Sequence, residues 1–364
     1  MRLRHTADIG GDDLRRRRQL RKRIYRDDKH HVEPFPDSER SSLSRSRFQN
    51  RRRLYRAERD GTVVASAVAR IAPKLTDKQG RPYGLIGDFE AERDSAAVRQ
   101  LLHAAVDWLR ERGAGRIVGP IDGDTWHGYR LNLGPHDRRP FLMEPSNPDY
   151  YPILWSNAGF EIDRTYHSIR VDSVEAARRE LRDRYESVRA EGYRFEPLRL
   201  DRLDGELRRI YEMTRDIFRD NYLYIDIDFD RFRSLYDGID RLAKSRLTWF
   251  AVGPDGEDAG YLFAIPDYRR ALAAMNGEKS TWAKLKFAAS RWTRTANIKT
   301  AGVMPVHRRR GLASALAYVA YREMESMGFG RANICLIADG NPSSGLDGGT
   351  GELLRRYALY RWNE

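Results

Sequence analysis

The residues best suited to chemistry lie in a basic turn, residues 308–311, which contains three arginines and a glycine. A β-prone run over residues 297–303 leads into this turn, and an amphipathic run over residues 312–327 leads out of it. Unpaired N–H groups at a helix start, the positive end of the helix dipole and nearby arginine charge all favour a bound anion. Because Gly311 has no side chain, a phosphate can approach the backbone closely. The spacing therefore predicts a diphosphate site, with an unliganded basic turn as the alternative.

The composition agrees with an anionic partner but does not identify it. The chain has 364 residues, of which 40% are hydrophobic, so it can build globular cores and its length favours two domains. The net charge of +13 favours a phosphorylated cofactor such as coenzyme A, nucleic acid, a membrane surface or an acidic substrate.

Cysteine, histidine and hydropathy patterns exclude several classes of protein. Cys335 is the sole cysteine, so no intramolecular disulfide can form, and a reducing cytoplasm is expected. No apolar stretch of about 18 residues is present, so neither secretion nor a membrane span is expected. The eight histidines show no metal-ligand spacing, and no metal is expected.

The first half of the chain contains strand and helix signals in a recognisable order. Residues 1–23 are basic and favour a short helix or frayed terminus over an arm that binds nucleic acid or lipid. Asp60-Gly61 between β-prone runs predicts a hairpin over residues 53–70. A strand, a helix, a strand, a helix that starts at Asn147-Pro148 and a closing strand follow: 83–89, 96–112, 116–120, 147–160 and 165–171. In the loop 122–130, Trp126 and His127 are candidate ligand contacts, with a packed surface loop as the alternative.

The second half repeats this order with little sequence identity. After a charged helix over residues 174–191, it contains a strand, two helices, a hairpin, a strand, the basic turn with its helix, and two further strands: 195–200, 203–219, 229–242, 249–265, 297–303, 308–327, 332–337 and 357–362. We interpret the repeat as two stacked α+β domains, each a mixed, mostly antiparallel sheet flanked by helices. Residues 268–296 are an insertion, either a lid or partner-binding helix or an amphipathic helix that covers the sheet.

These patterns predict four segments: a basic N-terminal segment 1–23, a degenerate domain 24–173, a linking helix 174–192 and a domain 193–364 that carries the diphosphate site. In the first copy, four acids at residues 88, 90, 92 and 94 stand where the second copy is basic. Like charge repels a diphosphate, so one site is expected, in the second copy.

The spacing Arg308-x-x-Gly311-x-Ala313 resembles the Arg/Gln-x-x-Gly-x-Gly/Ala signature of the GNAT superfamily of acyl-CoA N-acyltransferases. The stretches 20–25, 108–113, 119–120 and 147–151 look like those of a bacterial tandem-GNAT subfamily. The resemblance implies two tandem GNAT-like domains and acetyl-CoA or another acyl-CoA as cofactor. The implied cofactor contacts are Val303, Arg308, Arg309, Arg310, Gly311, Leu312, Ala313, Ser314, Asn341 and Ser344.

The same resemblance implies direct attack of an amine on the thioester, with no covalent enzyme intermediate. A β-bulge near Gly302 would free the N–H of Val303 for the acyl carbonyl; close packing is the alternative explanation of this glycine. The glutamate that many members use as base is missing, so Asp226 is the provisional base. Asp226, Asp228, Trp126 and His127 are provisional substrate contacts, although Asp228 also suits a helix N-cap. Tyr357 is the provisional acid, since the usual tyrosine is not matched.

The expected activity is transfer of an acyl group, in the first instance acetyl, to an amine of a small molecule or peptide. Two alternatives stay open. The chain is basic, so a tandem-GNAT aminoacyl transferase that uses aminoacyl-tRNA is one, although the coenzyme A signature makes nucleic acid the less favoured partner. The unmatched acid and base leave a catalytically silent coenzyme A-binding protein as the other.

Overall fold

The computed structural model describes residues 1–37, 43, 51–239, 242–341 and 345–363. Its contacts divide the chain into two compact units. The first unit comprises residues 1–165, 270–290 and 356–364, and the second comprises residues 166–269 and 291–355.

The strands, in chain order, are β1 (Arg2–Thr6), β2 (Arg52–Arg59), β3 (Thr62–Thr76), β4 (Pro82–Ala91), β5 (Arg116–Gly119), β6 (Leu131–Gly134), β7 (Phe160–Val171), β8 (Arg194–Pro197), β9 (Thr248–Val252), β10 (Asp258–Pro266), β11 (Thr295–Val303), β12 (Arg331–Ala338) and β13 (Glu352–Trp362). The helices are α1 (Gly11–Ile24), α2 (Ser95–Glu111), α3 (Tyr151–Asn157), α4 (Val174–Glu180), α5 (Arg182–Ala190), α6 (Leu203–Phe218), α7 (Phe229–Ser234), α8 (Arg269–Met275), α9 (Thr281–Ser290) and α10 (Leu312–Ser326).

The sheet of the first unit has the order β1-β2-β3-β4-β5, followed by the C-terminal part of β13, to which β6 also pairs. All of these pairings are antiparallel except the parallel pair β4–β5. The hairpin β2–β3 turns at Asp60-Gly61, where both residues have positive φ (51° and 78°), as this two-residue turn requires. The hairpin expected from sequence is therefore present.

Helix α2 places one apolar face on this sheet because its apolar residues recur at helical spacing. The buried positions include Val98, Leu101, Leu102, Ala105, Val106 and Leu109. Helix α3 adds Trp155, which is fully buried and meets the rings of Phe89 and Phe160 edge-on at centroid distances of 5.5 and 4.8 Å. The core of the first unit therefore lies between its sheet and these two helices.

The sheet of the second unit has the order β7-β12-β11-β10-β9-β8. The pair β11–β12 is parallel and the other pairings are antiparallel. Helix α10 is the central helix of this unit, with most of its residues buried among side chains of α4, α5 and the sheet. Each unit thus has a mixed, mostly antiparallel sheet flanked by helices, which confirms the expected α+β class.

Several elements and boundaries differ from the sequence-based expectation. The helix expected over 174–191 is broken into α4 and α5 at Leu181. Of the helix expected over 229–242, the described residues are α-helical over 229–234. Residues 1–23 supply β1 and α1 to the first unit. Residues 174–192 fall within the second unit, whereas residues 270–290 and 356–364 group with the first. The division falls inside β7 and β13, where composition does not change.

We expect Trp155→Ala to lower the free energy of unfolding of the first unit by about 3–5 kcal/mol, because it leaves a cavity among aromatic rings. The matched control is Ile153→Ala on the same helix, where the side chain is 61% exposed and a loss below about 0.5 kcal/mol is expected. Urea unfolding followed by circular dichroism measures both. Equal losses for the two variants would contradict the assigned core.

Candidate functional site

The N-terminus of α10 is open. Its N-cap is Gly311, in the left-handed conformation at φ 79°, so the cap residue has no side chain that could bond the first turn, and no acidic residue lies in that turn. The first intrahelical bond runs from the Ala315 N–H to the Gly311 carbonyl at 3.0 Å. The N–H groups of residues 311–314 therefore precede the helical ladder and point out at the positive end of the helix dipole.

The three arginines before Gly311 have different surroundings. Arg308 donates to the backbone carbonyls of Ile217, at the end of α6, and Val303, at 3.0 and 3.3 Å. Arg310 lies 3.3 Å from Glu191 in an exposed ion pair. Within the part of the chain that the structure describes, no partner is found for Arg309, which is exposed and has a positive φ of 66°. Arg308 thus braces the loop, while Arg309 offers its charge to a ligand.

A buried histidine lies under the loop. The hydroxyl of Tyr193 and His307 Nδ1 are 2.9 Å apart, and His307 Nε2 faces a Glu257 carboxylate oxygen at 3.3 Å. Burial raises the pKa of the Tyr193 hydroxyl, so it stays protonated and can donate to Nδ1. Nδ1 is then the acceptor in this contact, and Nε2 is the ring nitrogen nearer the carboxylate. His307 directly precedes the signature arginine, yet no pattern in the sequence indicated it.

The N–H of Val303 points away from β10. In the β10–β11 ladder Val303 stands opposite Gly260, and the next residue, Met304, donates to the Ala259 carbonyl at 2.9 Å. Antiparallel ladders alternate between hydrogen-bonded and non-hydrogen-bonded pairs, so Val303–Gly260 is a non-hydrogen-bonded pair. Its N–H is therefore directed to the other edge of β11, where β12 is the neighbour.

Strands β11 and β12 separate before they reach Val303. Their parallel pairing covers only residues 295–298 and 331–334. Beyond that point β12 continues beside β7, with an irregularity between Ile334 and Ile337 at which Leu336 has a positive φ of 59°. Because β12 follows β7 and leaves β11, an opening forms between the strands, and the Val303 N–H is directed into it.

A histidine–aspartate pair lies on the β12 side of this opening, near the ends of the strands. Val303 is the last residue of β11, five positions after Ile298, and Asp339 directly follows β12, five positions after Ile334, the partner of Ile298; each strand has a one-residue irregularity in between. His167 Nδ1 lies 2.6 Å from an Asp339 carboxylate oxygen, and their side chains are 22% and 37% exposed. A carboxylate on Nδ1 leaves Nε2 as a proton acceptor. The sequence carried no signal for this pair, because its members are 172 residues apart.

Gly302 is required by close packing, and the bulge lies elsewhere. A Cβ at Gly302 would come within 2.8 Å of the Ile217 side chain and 3.3 Å of Phe218. The β-bulge falls between residues 298 and 300, opposite Phe263 and Ala264. The bulge expected near Gly302 is thus earlier in the strand, and the packing explanation of this glycine holds.

The corresponding helix start in the first unit is occupied by protein groups. The N-cap of α2 is Asp94, whose carboxylate accepts from the Ala97 N–H at 3.0 Å and pairs with Arg59 at 2.6 Å. These bonds outweigh burial and lower the pKa of Asp94, so a carboxylate already sits where an anion would bind. The neighbouring Glu92 pairs with Arg23 at 2.7 Å.

The strand end before α2 is filled as well. Tyr151 accepts from the Ala91 N–H at 2.9 Å and donates to Glu90 at 2.8 Å, while Tyr25 donates to the same carboxylate at 3.2 Å. Burial, with Glu90 nearby, raises the pKa of Tyr25 and Tyr151, so both hydroxyls stay protonated. Asp88 and Glu90 lie within β4, so only two of the four acids noted in the sequence lie in the turn.

In the structure, the provisional acid and the provisional base are bonded to other protein groups. Asp226 is half exposed and paired with Arg215 at 3.1 Å, and Asp228 caps α7 by accepting from the Arg231 N–H at 2.8 Å. Tyr357 is fully buried in the first unit and donates to Glu144. We therefore do not retain Tyr357 as the leaving-group acid, because a buried phenol bonded to a carboxylate has no access to a thioester.

The other predicted contacts fall in separate places. Trp126 and His127 lie in a loop of the first unit, where Asp124 accepts from the Trp126 N–H at 3.0 Å and bonds to His127 Nδ1. Asn341 is exposed in the second unit after β12, and Ser344 lies outside the described residues. Leu312 is buried, whereas Ala313 and Ser314 are half-buried in the first turn of α10.

The described residues contain neither a membrane-spanning helix nor a cluster of metal ligands. No helix in the described ranges is long and apolar enough to cross a membrane. Nor do the described side chains bring three or more His, Cys, Asp or Glu together as a metal site.

Comparison with known proteins identifies the fold. The tandem GNAT protein from the clavulanic acid biosynthesis pathway, solved without AcCoA, aligns with a TM-score of 0.51 and 14% identity over 99% of this chain and 98% of its own. The GCN5-related glucosamine N-acetyltransferase region of a fungal multi-domain GH3 β-N-acetylglucosaminidase aligns with a TM-score of 0.56 and 13% identity, over 99% of this chain and 38% of that one. The chain therefore has the tandem GNAT fold, as its sequence predicts.

The sequence comparisons find relatives of low identity. No protein-family model matches the chain. The bacterial ceramide synthase of Caulobacter vibrioides (strain NA1000 / CB15N) is 26% identical over 297 residues, which covers 79% of this chain and 76% of that relative.

We expect Gly311→Ala to weaken binding of pyrophosphate-bearing ligands at least about tenfold, because a left-handed alanine costs about 1–2 kcal/mol and relief of that strain shifts the N–H groups of the turn. The added methyl group itself would only come into ordinary contact with Arg184 and Val188 of α5, at 3.6 and 3.8 Å. The control is Gly328→Ala just beyond the other end of α10, where φ is 81° and the space around a Cβ is open. Both variants should lose similar thermal stability. Calorimetric titration with coenzyme A should separate them, and equal affinities would contradict the open-terminus site.

Proposed function

We propose that the chain is an acyl-CoA-dependent N-acyltransferase. One observation carries the proposal. Strand β11 ends at Val303, whose N–H is directed into the opening between β11 and β12, and one short loop connects this strand end to the open N-terminus of α10. An anion site and a carbonyl-polarising donor thus lie close together in one chain segment. That combination suits a ligand with a diphosphate at one point and a thioester at another.

The second unit offers groups for both parts of acyl-CoA. The diphosphate would accept hydrogen bonds from the N–H groups of residues 311–314 and charge from Arg309. The acyl carbonyl would accept from the Val303 N–H, a donor already fixed by the sheet, which stabilises the negative charge that develops on the oxygen. In the first unit the corresponding donors are bonded to Asp94 and Tyr151, so we assign one cofactor site per chain.

We infer that His167 is the general base. The acceptor amine attacks the thioester carbon, a C–N bond forms, and the surplus amine proton goes to His167 Nε2 while Asp339 holds Nδ1. The C–S bond then breaks, and coenzyme A leaves as the thiolate and takes a proton. The support for this role is the position of the His167–Asp339 pair at the end of β12, on the β12 side of the opening. Asp226 is less suited, because its carboxylate is already paired with Arg215 at 3.1 Å.

We further infer that the acceptor is a long-chain amino alcohol. The support is the bacterial ceramide synthase relative, whose alignment spans most of both chains. A ceramide is an amide made on the amine of such an alcohol, which is the product that direct attack on an acyl thioester gives. This choice narrows the small-molecule amine expected from the sequence.

The test is acyl transfer by the purified full-length chain. Acyl-CoAs from acetyl to palmitoyl are offered with sphinganine, short amino alcohols and a peptide, and thiol release and amide are both measured. We expect one amide per thiol, with sphinganine preferred. His167→Gln should lower kcat about 10²–10⁴-fold and leave coenzyme A affinity unchanged. The control, His5→Gln on β1 of the first unit, should match the wild type.

Two outcomes would contradict the proposal in different ways. Coenzyme A binding without thiol release in the presence of any amine would indicate a catalytically silent binding protein. Transfer from aminoacyl-tRNA without coenzyme A binding would indicate the aminoacyl transferase alternative. Amide formed with the peptide but not with sphinganine would overturn the acceptor and leave the acyltransferase proposal intact.

A further inference from the structure

Helix α9 presents an apolar stripe to solvent. Trp282 and Leu285 are 66% and 56% exposed, and Ala289, also exposed, continues the same face, since positions three and seven residues apart align on a helix. The opposite face packs on the first unit through buried Ala283 and half-buried Phe287. The helix therefore has apolar residues on its packed face and on its outer face.

The charged residues of the α9 segment itself have one sign. The sequence from 279 to 294 contains five cations and no acid, and one of the five, Lys279, pairs with Asp37 of the first unit at 2.8 Å. Lys284 and Lys286 are exposed, and within the described residues neither has a carboxylate partner. Lys286 Nζ lies 5.8 Å from the centre of the Trp282 ring.

We propose that α9 binds the surface of an anionic bilayer, with Trp282 and Leu285 among the lipid headgroups and upper acyl chains. Tryptophan prefers this depth because its ring is apolar and its N–H polar. Lysines beside it can bury their methylene stems and extend their ammonium groups to lipid phosphates. The helix has ten residues, so it lies in the interface and binds reversibly.

A bilayer fits these residues better than an acidic protein partner. The exposed side chains form one stripe on the outer face of a short helix, with flexible lysines on both sides. An interface between proteins is expected to have charge depleted at its centre, whereas interfacial helices combine a Trp/Leu face with lysines. Binding at α9 would give the proposed acyltransferase access to long-chain amines, yet it does not depend on acyl transfer.

The test is co-sedimentation of the full-length chain with phosphatidylcholine vesicles, with and without phosphatidylglycerol. Binding is expected only with the anionic lipid and should weaken as salt rises. Lys284→Glu with Lys286→Glu should lower the partition coefficient about 30-fold or more, at roughly fivefold per lysine. The control, Lys74→Glu with Lys78→Glu on and after β3, makes the same charge change and should bind nearly as the wild type.

The apolar contribution has its own variant. Trp282→Ala with Leu285→Ala should also reduce binding, and brominated lipid should quench less tryptophan fluorescence in Trp282→Ala than in the wild type. Ile153→Ala, another exposed apolar side chain, should change neither readout. Binding that is unaffected by both α9 double variants, or equal on neutral vesicles, would overturn the proposal. Capture of an acidic protein through α9 without vesicle binding would overturn it in favour of a protein partner.

Discussion

Backbone N–H groups that the fold leaves without an internal partner are the constraint on which this site depends. A helix always begins with N–H groups that lack intrahelical acceptors, and α10 has neither a capping side chain nor an acid in its first turn. The same is true of a strand that loses its neighbour, as β11 does after residue 298. Both kinds of donor occur within one segment of the second unit, with Arg309 between them, so this segment is built to receive negative charge.

The first unit shows the alternative solution to the same constraint. There Asp94 caps the helix and Tyr151 takes the N–H of Ala91 at the strand end, so the protein satisfies its own donors. In the second unit, side chains instead hold the loop before α10 in place. Arg308 ties it to the end of α6, and His307 lies below it between Tyr193 and Glu257. One repeat thus supports its fold, and the other leaves donors for a ligand.

Much of this could be predicted from local sequence, and the rest depends on distant residues. Hairpin turns, helix periodicity and the Arg308-x-x-Gly311-x-Ala313 spacing are local signals, and the structure has the elements that they predict. The pair His167–Asp339 joins residues from β7 and the end of β12, so no local pattern could indicate it. The position of Tyr357 near the C-terminus suggests it as the leaving-group acid, whereas its environment is set by Glu144, 213 residues away. Nor could local sequence indicate the unit boundaries within β7 and β13, since the residues of each strand are divided between the two units without any change in composition.

The central claim is that α10, and not α2, carries the cofactor site. The measurement that tests it most directly is a crystal structure of the full-length chain with an acyl-CoA. We expect diphosphate oxygens within about 3 Å of the N–H groups of residues 311–314, and the acyl carbonyl oxygen on the Val303 N–H. Acyl-CoA bound at the start of α2, or bound elsewhere with the first turn of α10 still facing solvent, would contradict this account.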